Sequence, residues 1–278
     1  MAEFLTMTFK ISVLVFVIGS MISMGLGLTV KQIIDPLKNV RLVILALVAN
    51  FILVPLLVFL MNKIIPLNSG FQIGFILLSI AAGAPFLPKL ADIARSNVAF
   101  SIGLMLLLMI VTIFYLPLVL PQLLEGARVS SWDIAKSLIT LMLIPLILAL
   151  LFRAWLEKPA GKLQPVFAKL TNLAMLLLTI SLVILNSKHL IDMIGMPLLA
   201  IVVFLVVAMA IGYLLGGPGK DTRVVLALGT GQRNISAAIL VATQNFKDPD
   251  ITLLLVSVAI FGLFIMIPSA KSVARHGG

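Results

Sequence analysis

The chain has no cysteine and only two histidines, His189 and His276, in 278 residues. Disulfides, thiolate metal sites and cysteine nucleophiles are therefore excluded. One histidine in a predicted loop and one in the tail do not make a buried imidazole metal centre, so no metal or cofactor site is expected. Charge is scarce as well: 11% of residues are charged, with 10 acids against 20 Lys and Arg. Of the acids only Asp92 falls inside an apolar segment, three residues after Lys89, a spacing that favours a local helix pair. An intramembrane enzyme needs a nucleophile or an acid/base pair at depth, and none is supplied.

What is abundant is hydrocarbon. Hydrophobic residues make up 62% of the chain, and mean hydropathy is +1.23, beyond what the surface of a soluble domain tolerates. Apolar runs of about 20 residues recur along its length, enough to cross a hydrocarbon core of about 30 Å as helices. They lack the alternation of a membrane β-barrel, so the expected fold is an all-α integral membrane protein. The first run follows Lys10 but shows no small-x-small cleavage site, and its SMISMGLGL end reads as helix-packing surface, so it is taken as a span.

Hydropathy punctuated by Pro, Gly and charge predicts nine transmembrane helices, at about 8–30, 41–61, 71–95, 97–120, 134–156, 165–187, 196–216, 222–245 and 250–270. Thirteen basic residues, among them Lys31, Lys89, Arg153, Lys220 and Lys271, fall on one side. Six fall on the other, Lys10 and Lys63 among them. This bias predicts an N-terminus outside and a C-terminus in the cytoplasm of a plasma or inner membrane. It also accounts for the net charge of +10 without nucleic acid as a partner. The sequence sets no oligomeric state.

Two segments carry helix breakers near their middles. The third contains AAGAPFLPKLAD with Pro85 and Pro88, and the eighth contains GTGQRN with Gly229 and Gly231. Proline removes a donor and clashes with the preceding turn, while glycine lets the backbone leave helical geometry. Alone, either is a kink or a packing notch. At matching positions of two four-span repeats, one to four and six to nine around an unpaired fifth, they predict inverted repeats with two broken, crossing helices and a site between their dipole ends.

Arg233 stands in the second break. A charge at that depth costs at least ~2.5–3.5 kcal/mol on insertion scales and so requires a cavity or partners. Three roles stay open: bonding to backbone carbonyls freed at the break, contacting a substrate, or both. Thr230, Gln232, Asn234 and Ser236 surround it in sequence, and Asn50 is the one strongly polar side chain of the second segment. With Lys89 these form the candidate substrate-binding set. Ser20, Ser23, Asn172, Thr179 and Ser181 are candidate cavity-lining hydroxyls and amides.

These motifs resemble the bile acid:sodium symporter family, whose members include carriers of small organic anions such as keto acids and pantoate. SMGLGLTV resembles its first-repeat signature and NFILVP its Gln-Phe-x-x-Met-Pro. GAPFLPKLADIARSNVAFS resembles a Cys-Pro-Gly-Gly segment followed by Asn-Val-Ala-Leu-Ser, and GTGQRNISAA resembles Glu-Val-Gly-Met-Gln-Asn-Ser-Gly-Leu-Ala. The resemblance implies one transmembrane transporter domain over 1–278. A panel at about 8–30 and 134–187 would face a core at about 41–120 and 196–270, with alternating access between them. It also exposes departures. The family's sodium-binding Glu falls on Gly229 and its Gln on Arg233, the adjacent Asn is kept as Asn234, and the Gln of the second span becomes Asn50. The expected function is therefore secondary transport of small organic anions without sodium. Arg233 would replace one sodium ion and Lys89 the second. The alternatives are a sodium-coupled symporter with altered ion sites, and a channel or non-transporting scaffold on the same fold.

Overall fold

The computed structural model describes residues 2–29, 38–124, 130–185 and 193–275. The expected segment ends at 30 and 187, both histidines, Lys31, Arg128 and Lys188 lie outside the described residues. The described residues are almost entirely helical and contain no strand. In chain order the helices are α1 (Ala2–Gly27), α2 (Val40–Ile64), α3 (Ser69–Ile80), α4 (Leu87–Ile93), α5 (Val98–Leu123) and α6 (Ser131–Trp155). They continue with α7 (Glu157–Leu185), α8 (Met196–Leu215), α9 (Lys220–Gly231), α10 (Ile235–Asn245) and α11 (Pro249–Arg275).

Among these, eight stretches are long and apolar enough to cross a membrane, with α9 and α10 counted as the single stretch Lys220–Asn245. The protein is thus a multi-pass membrane protein. The expected third segment, 71–95, is instead two short helices, α3 and α4, neither of which is long enough alone. α7 begins eight residues before the expected start at 165, and Pro165 lies inside it. Hydropathy marks the lipid-facing stretch, whereas this helix continues through a polar turn holding Lys158 and Lys162.

Small residues set the packing of α1 against α6 and α7. A Cβ on Gly25 would sit 2.6 Å from Ala149 Cβ, and one on Gly19 would sit 2.8 Å from Thr171 Oγ1, so the helices meet at backbone distance as small-residue membrane contacts do. Their outer faces expose Leu148, Leu151, Leu173 and Leu176, as expected of surface that faces lipid. By contrast α9 and α10 are almost wholly buried, from Val224 to Gly231 and from Ser236 to Ala242. Asparagines cap four of the helices: Asn39, Asn68, Asn97 and Asn234 each accept from the N–H three residues on.

Proline shapes α2. An α-helix directs the Phe51 carbonyl to the N–H of residue 55, but Pro55 has none. The helix widens to a π turn over Ala49–Leu53, with Val54 N–H bonding Ala49 O. The Asn50 and Phe51 carbonyls are left without their helical donors. Tyr115 of α5 donates to Phe51 O at 2.6 Å, and its ring packs on Phe51 with centroids 4.9 Å apart. Tyr115→Phe is expected to strand that carbonyl and to cost about 1 kcal/mol, read as a lower thermal midpoint of the purified protein. An unchanged midpoint would mean that the carbonyl finds another donor.

Candidate functional site

The first break runs from Ala81 to Phe86 and starts before the prolines expected to cause it. Pro85 lies in the turn that closes it, but Pro88 sits in the first turn of α4, where a missing N–H costs nothing. The chain leaves the helix at Ala81, already extended, and within the break Gly83 takes a left-handed conformation at φ +82. A Cβ there would lie 2.6 Å from the Met105 carbonyl oxygen and closer still to Met109 N. Thr112 of α5, fully buried, holds the freed backbone from both sides. Its hydroxyl accepts from Ala82 N–H at 2.9 Å and donates to Ala82 O at 3.1 Å.

The second break spans Gln232 to Asn234, after Gly229 and Gly231 rather than at them. Both glycines remain helical and serve close packing. A Cβ on Gly229 would meet Leu87 Cδ2 at 2.9 Å and Leu104 Cδ2 at 3.3 Å, and one on Gly231 would meet Met209 Cγ at 2.5 Å. The two breaks touch, since Asn234 N–H donates to Ala81 O at 2.9 Å.

Arg233 joins three elements at this contact and is 2% exposed. Nε donates to Leu78 O at 2.8 Å. Nη1 donates to Asn50 Oδ1 at 2.7 Å and Thr230 O at 3.2 Å, and Nη2 donates to Ser79 O at 2.7 Å and Asn50 O at 3.4 Å. A guanidinium has five N–H donors, and here all five meet protein oxygens, every one of them neutral. Two acceptors, Leu78 O and Ser79 O, lie at the frayed end of α3, and a third is the Asn50 carbonyl left open by Pro55. Asn50 is fully buried, and its Nδ2 donates to Ala46 O and Thr230 Oγ1, so the amide orients the guanidinium and pins it to α9.

Beside the crossing lies a cavity of about 680 Å³ between α1 and α7 on one side and α4, α5, α8 and the α9–α11 region on the other. Arg233, Gln232, Gly231, Ser236, Pro85, Pro88 and Lys89 line it, whereas Asn50, Thr230, Asn234 and Gly229 stand behind its wall. The first turn of α10 borders it, with the Ser236 hydroxyl 3.3 Å from that of Ser20 on α1. A helix N-terminus favours negative charge. Asn234 caps this turn by accepting from Ala237 N–H at 3.1 Å. Gln232 Oε1 is buried without a protein partner. Met24, Met105, Met175 and Met266 supply much of the apolar lining, a surface that adapts to irregular solutes.

Lys89 is on the rim and does not reach the Gly229 region. Its Nζ pairs with Asp92 at 2.9 Å, and both side chains are 61% exposed. Gly229, on which the resemblance places the family's sodium-binding Glu, faces the side chains of Leu87 and Leu104. Ser20, Ser23 and Asn172 line the cavity as the sequence suggested; Thr179 and Ser181 do not, and Thr179 bonds its own helix at Met175 O. Gln164 and Thr171 of α7 also line it, although neither belongs to a quoted motif. Thr112 lies outside the quoted motifs, and Gly83 lies inside AAGAPFLPKLAD, where the two prolines drew the expectation instead.

Comparison with known proteins bears on this arrangement. The sodium bile acid symporter family model matches residues 13–193, which include the first break and end before Arg233. A probable sodium/metabolite cotransporter BASS3, chloroplastic, from Arabidopsis thaliana is 29% identical over 234 residues, 81% of this chain and 54% of the relative. The Oryza sativa subsp. japonica protein of the same description is 26% identical over 254 residues, 88% and 60% respectively. A probable BASS2 from that rice is 25% identical over 258 residues, 91% and 58%. The chain therefore spans a little over half the length of these curated relatives. The matched residues cover most of the chain and carry the broken α3–α4 pair that Arg233 holds, and the chain belongs to the sodium bile acid symporter family.

Proposed function

We propose that the protein is a secondary transporter of small organic anions that works by alternating access and does not use sodium. In this reading α1, α6 and α7 form the panel, α2–α5 and α8–α11 form the core, and α3–α4 counts as a ninth, broken span opposite α9–α10. Pairing of the two breaks at Asn234 and Ala81 supports inverted repeats. The solute would occupy the cavity between panel and core, with its anionic group at the α10 N-terminus near Ser236 and Gln232 and its apolar part on the methionines. Lys89 at the rim would attract it. The same basic bias supports an N-terminus outside and a C-terminus in the cytoplasm: Ser96–Asp221 ties the loops of one end and Asn68–Asp250 those of the other.

The observation that carries the proposal is the set of five neutral oxygens around the Arg233 guanidinium. An all-oxygen shell is what a hard monovalent cation requires, and here a covalently attached cation fills it. Where the family resemblance places a sodium-binding carboxylate, Gly229 faces two leucine side chains. Neither place offers vacant ligands for a sodium ion. Arg233 then acts on the solute through its field rather than through a hydrogen bond.

The relatives' description as sodium/metabolite cotransporters favours a second reading, a sodium-coupled symporter. Uptake of labelled pyruvate, 2-oxoisovalerate and pantoate into proteoliposomes, with sodium replaced by potassium or choline, separates the two. Uptake is expected to be unchanged on replacement. A loss of about tenfold, equivalent to about 1.4 kcal/mol of coupling, establishes the symporter instead.

A further inference from the structure

Resting on the transport reading above, we propose that the protein is an exchanger: it moves one organic anion inward only in return for another moving outward, and its empty form changes sides slowly. The argument starts from the permanence of the charge. A sodium ion can leave a carrier before the empty return step and take its charge with it. Arg233 is covalently part of the second break, is 2% exposed, and keeps its five acceptors within the core elements α2, α3 and α9. It therefore travels with the core in every state.

Its partners are neutral oxygens, which solvate the guanidinium without cancelling its net charge. Among the described residues no acid bonds to it. Asp92 is paired with Lys89 at the surface, Asp221 lies in the first turn of α9 at one end, and Asp250 lies in the first turn of α11 at the other. While the cavity is open, its water screens Arg233, which forms part of the wall together with Gln232 and Ser236. To change sides, panel and core must close over the cavity and expel that water, and the effective dielectric falls. An occluded state holding an anion is close to neutral, whereas an empty occluded state holds one uncompensated charge near mid-membrane. The attraction between unit charges several ångströms apart in a protein interior makes the loaded crossing faster by about ten- to a hundredfold.

The experiment compares exchange with net uptake. Purified protein is reconstituted into liposomes with the membrane potential clamped at zero. Uptake of labelled pyruvate, 2-oxoisovalerate and pantoate is timed into vesicles holding either the same unlabelled acid or buffer alone. Exchange is expected to exceed net uptake by about tenfold or more. Asn50→Asp supplies the second arm. It keeps the oxygen that Nη1 donates to at 2.7 Å while adding a negative charge against the guanidinium, so it is expected to bring the ratio of exchange to net uptake close to one. A wild-type ratio near one overturns the inference and leaves transport standing, and this arm decides even if the variant does not fold. A folded Asn50→Asp protein that keeps the wild-type ratio overturns it too, because the bias then does not come from the fixed charge. Absence of protein-dependent movement of all three acids in either format overturns the transport reading and the exchange inference together.

Discussion

Arg233→Ala is expected to lower the thermal midpoint of the purified protein more than loss of any other side chain in the central network. Five hydrogen bonds to buried oxygens are lost at once. Interhelical bonds in membrane proteins average about 0.6 kcal/mol each, which alone gives about 3 kcal/mol, and acceptors stranded in a dry interior add to it, so about 3–5 kcal/mol is expected. Two comparisons identify the cause. Arg233→Lys keeps the charge but replaces a planar fork of five donors with one ammonium, so it is expected to recover only part of the loss. Guanidinium or sodium ions, added at concentrations that leave the wild type unaffected, are expected to raise the midpoint of Arg233→Ala by filling the vacated oxygen shell. An Arg233→Ala protein as stable as the wild type, or one indifferent to both cations, would show that the five oxygens are not a cation site.

The importance of Arg233 was legible from cost alone, because a charge in mid-span demands partners. Its partners were not. Three of the five acceptors, Leu78 O, Ser79 O and Asn50 O, are backbone atoms of distant segments, and backbone carbonyls carry no sequence signature until the fold brings them together. The two breaks were legible as regions and misplaced as positions. Pro88 and the Gly229/Gly231 pair were expected to interrupt helices, but a proline in the first turn starts a helix and a glycine in a tight helix pair lets a neighbour approach. Lys89 counts both among the basic residues of one side and as the expected replacement for a second sodium ion, and its sequence position alone does not separate the two. The turn at Ala81–Phe86 shifts α4 so that Lys89 reaches the rim and pairs with Asp92, while Leu87 occupies the interior. Eight of the nine expected spans appear among the described residues as stretches long enough to cross, since runs of about 20 apolar residues leave few alternatives; the third, interrupted at Ala81–Phe86, does not.

Gly83→Ala tests how the first break is built, and it is expected to prevent recovery of folded protein or to cost at least about 3 kcal/mol. Two effects combine at this position. With φ at +82 a side chain is strained by roughly 1–2 kcal/mol. The added methyl would also press on the Met109 nitrogen and lie 2.6 Å from the Met105 carbonyl oxygen. Both are backbone atoms of α5, which cannot swing aside as a side-chain tip can. Relief requires α5 to retreat, and retreat separates Thr112 from Ala82, undoing the reciprocal bonds at 2.9 and 3.1 Å that satisfy the broken strand of backbone. The protein contains its own control. Gly195 has φ +102, also outside what side chains ordinarily adopt, but a Cβ there meets nothing within 4 Å, so Gly195→Ala bears conformational strain without the collision and is expected to cost roughly 1–3 kcal/mol. Thermal midpoints and size-exclusion profiles of the two variants separate these terms. If they are equally stable, the break owes its shape to backbone conformation alone. If Gly83→Ala fails while Gly195→Ala folds, close packing of α5 holds α3 open where Arg233 needs the Leu78 and Ser79 carbonyls.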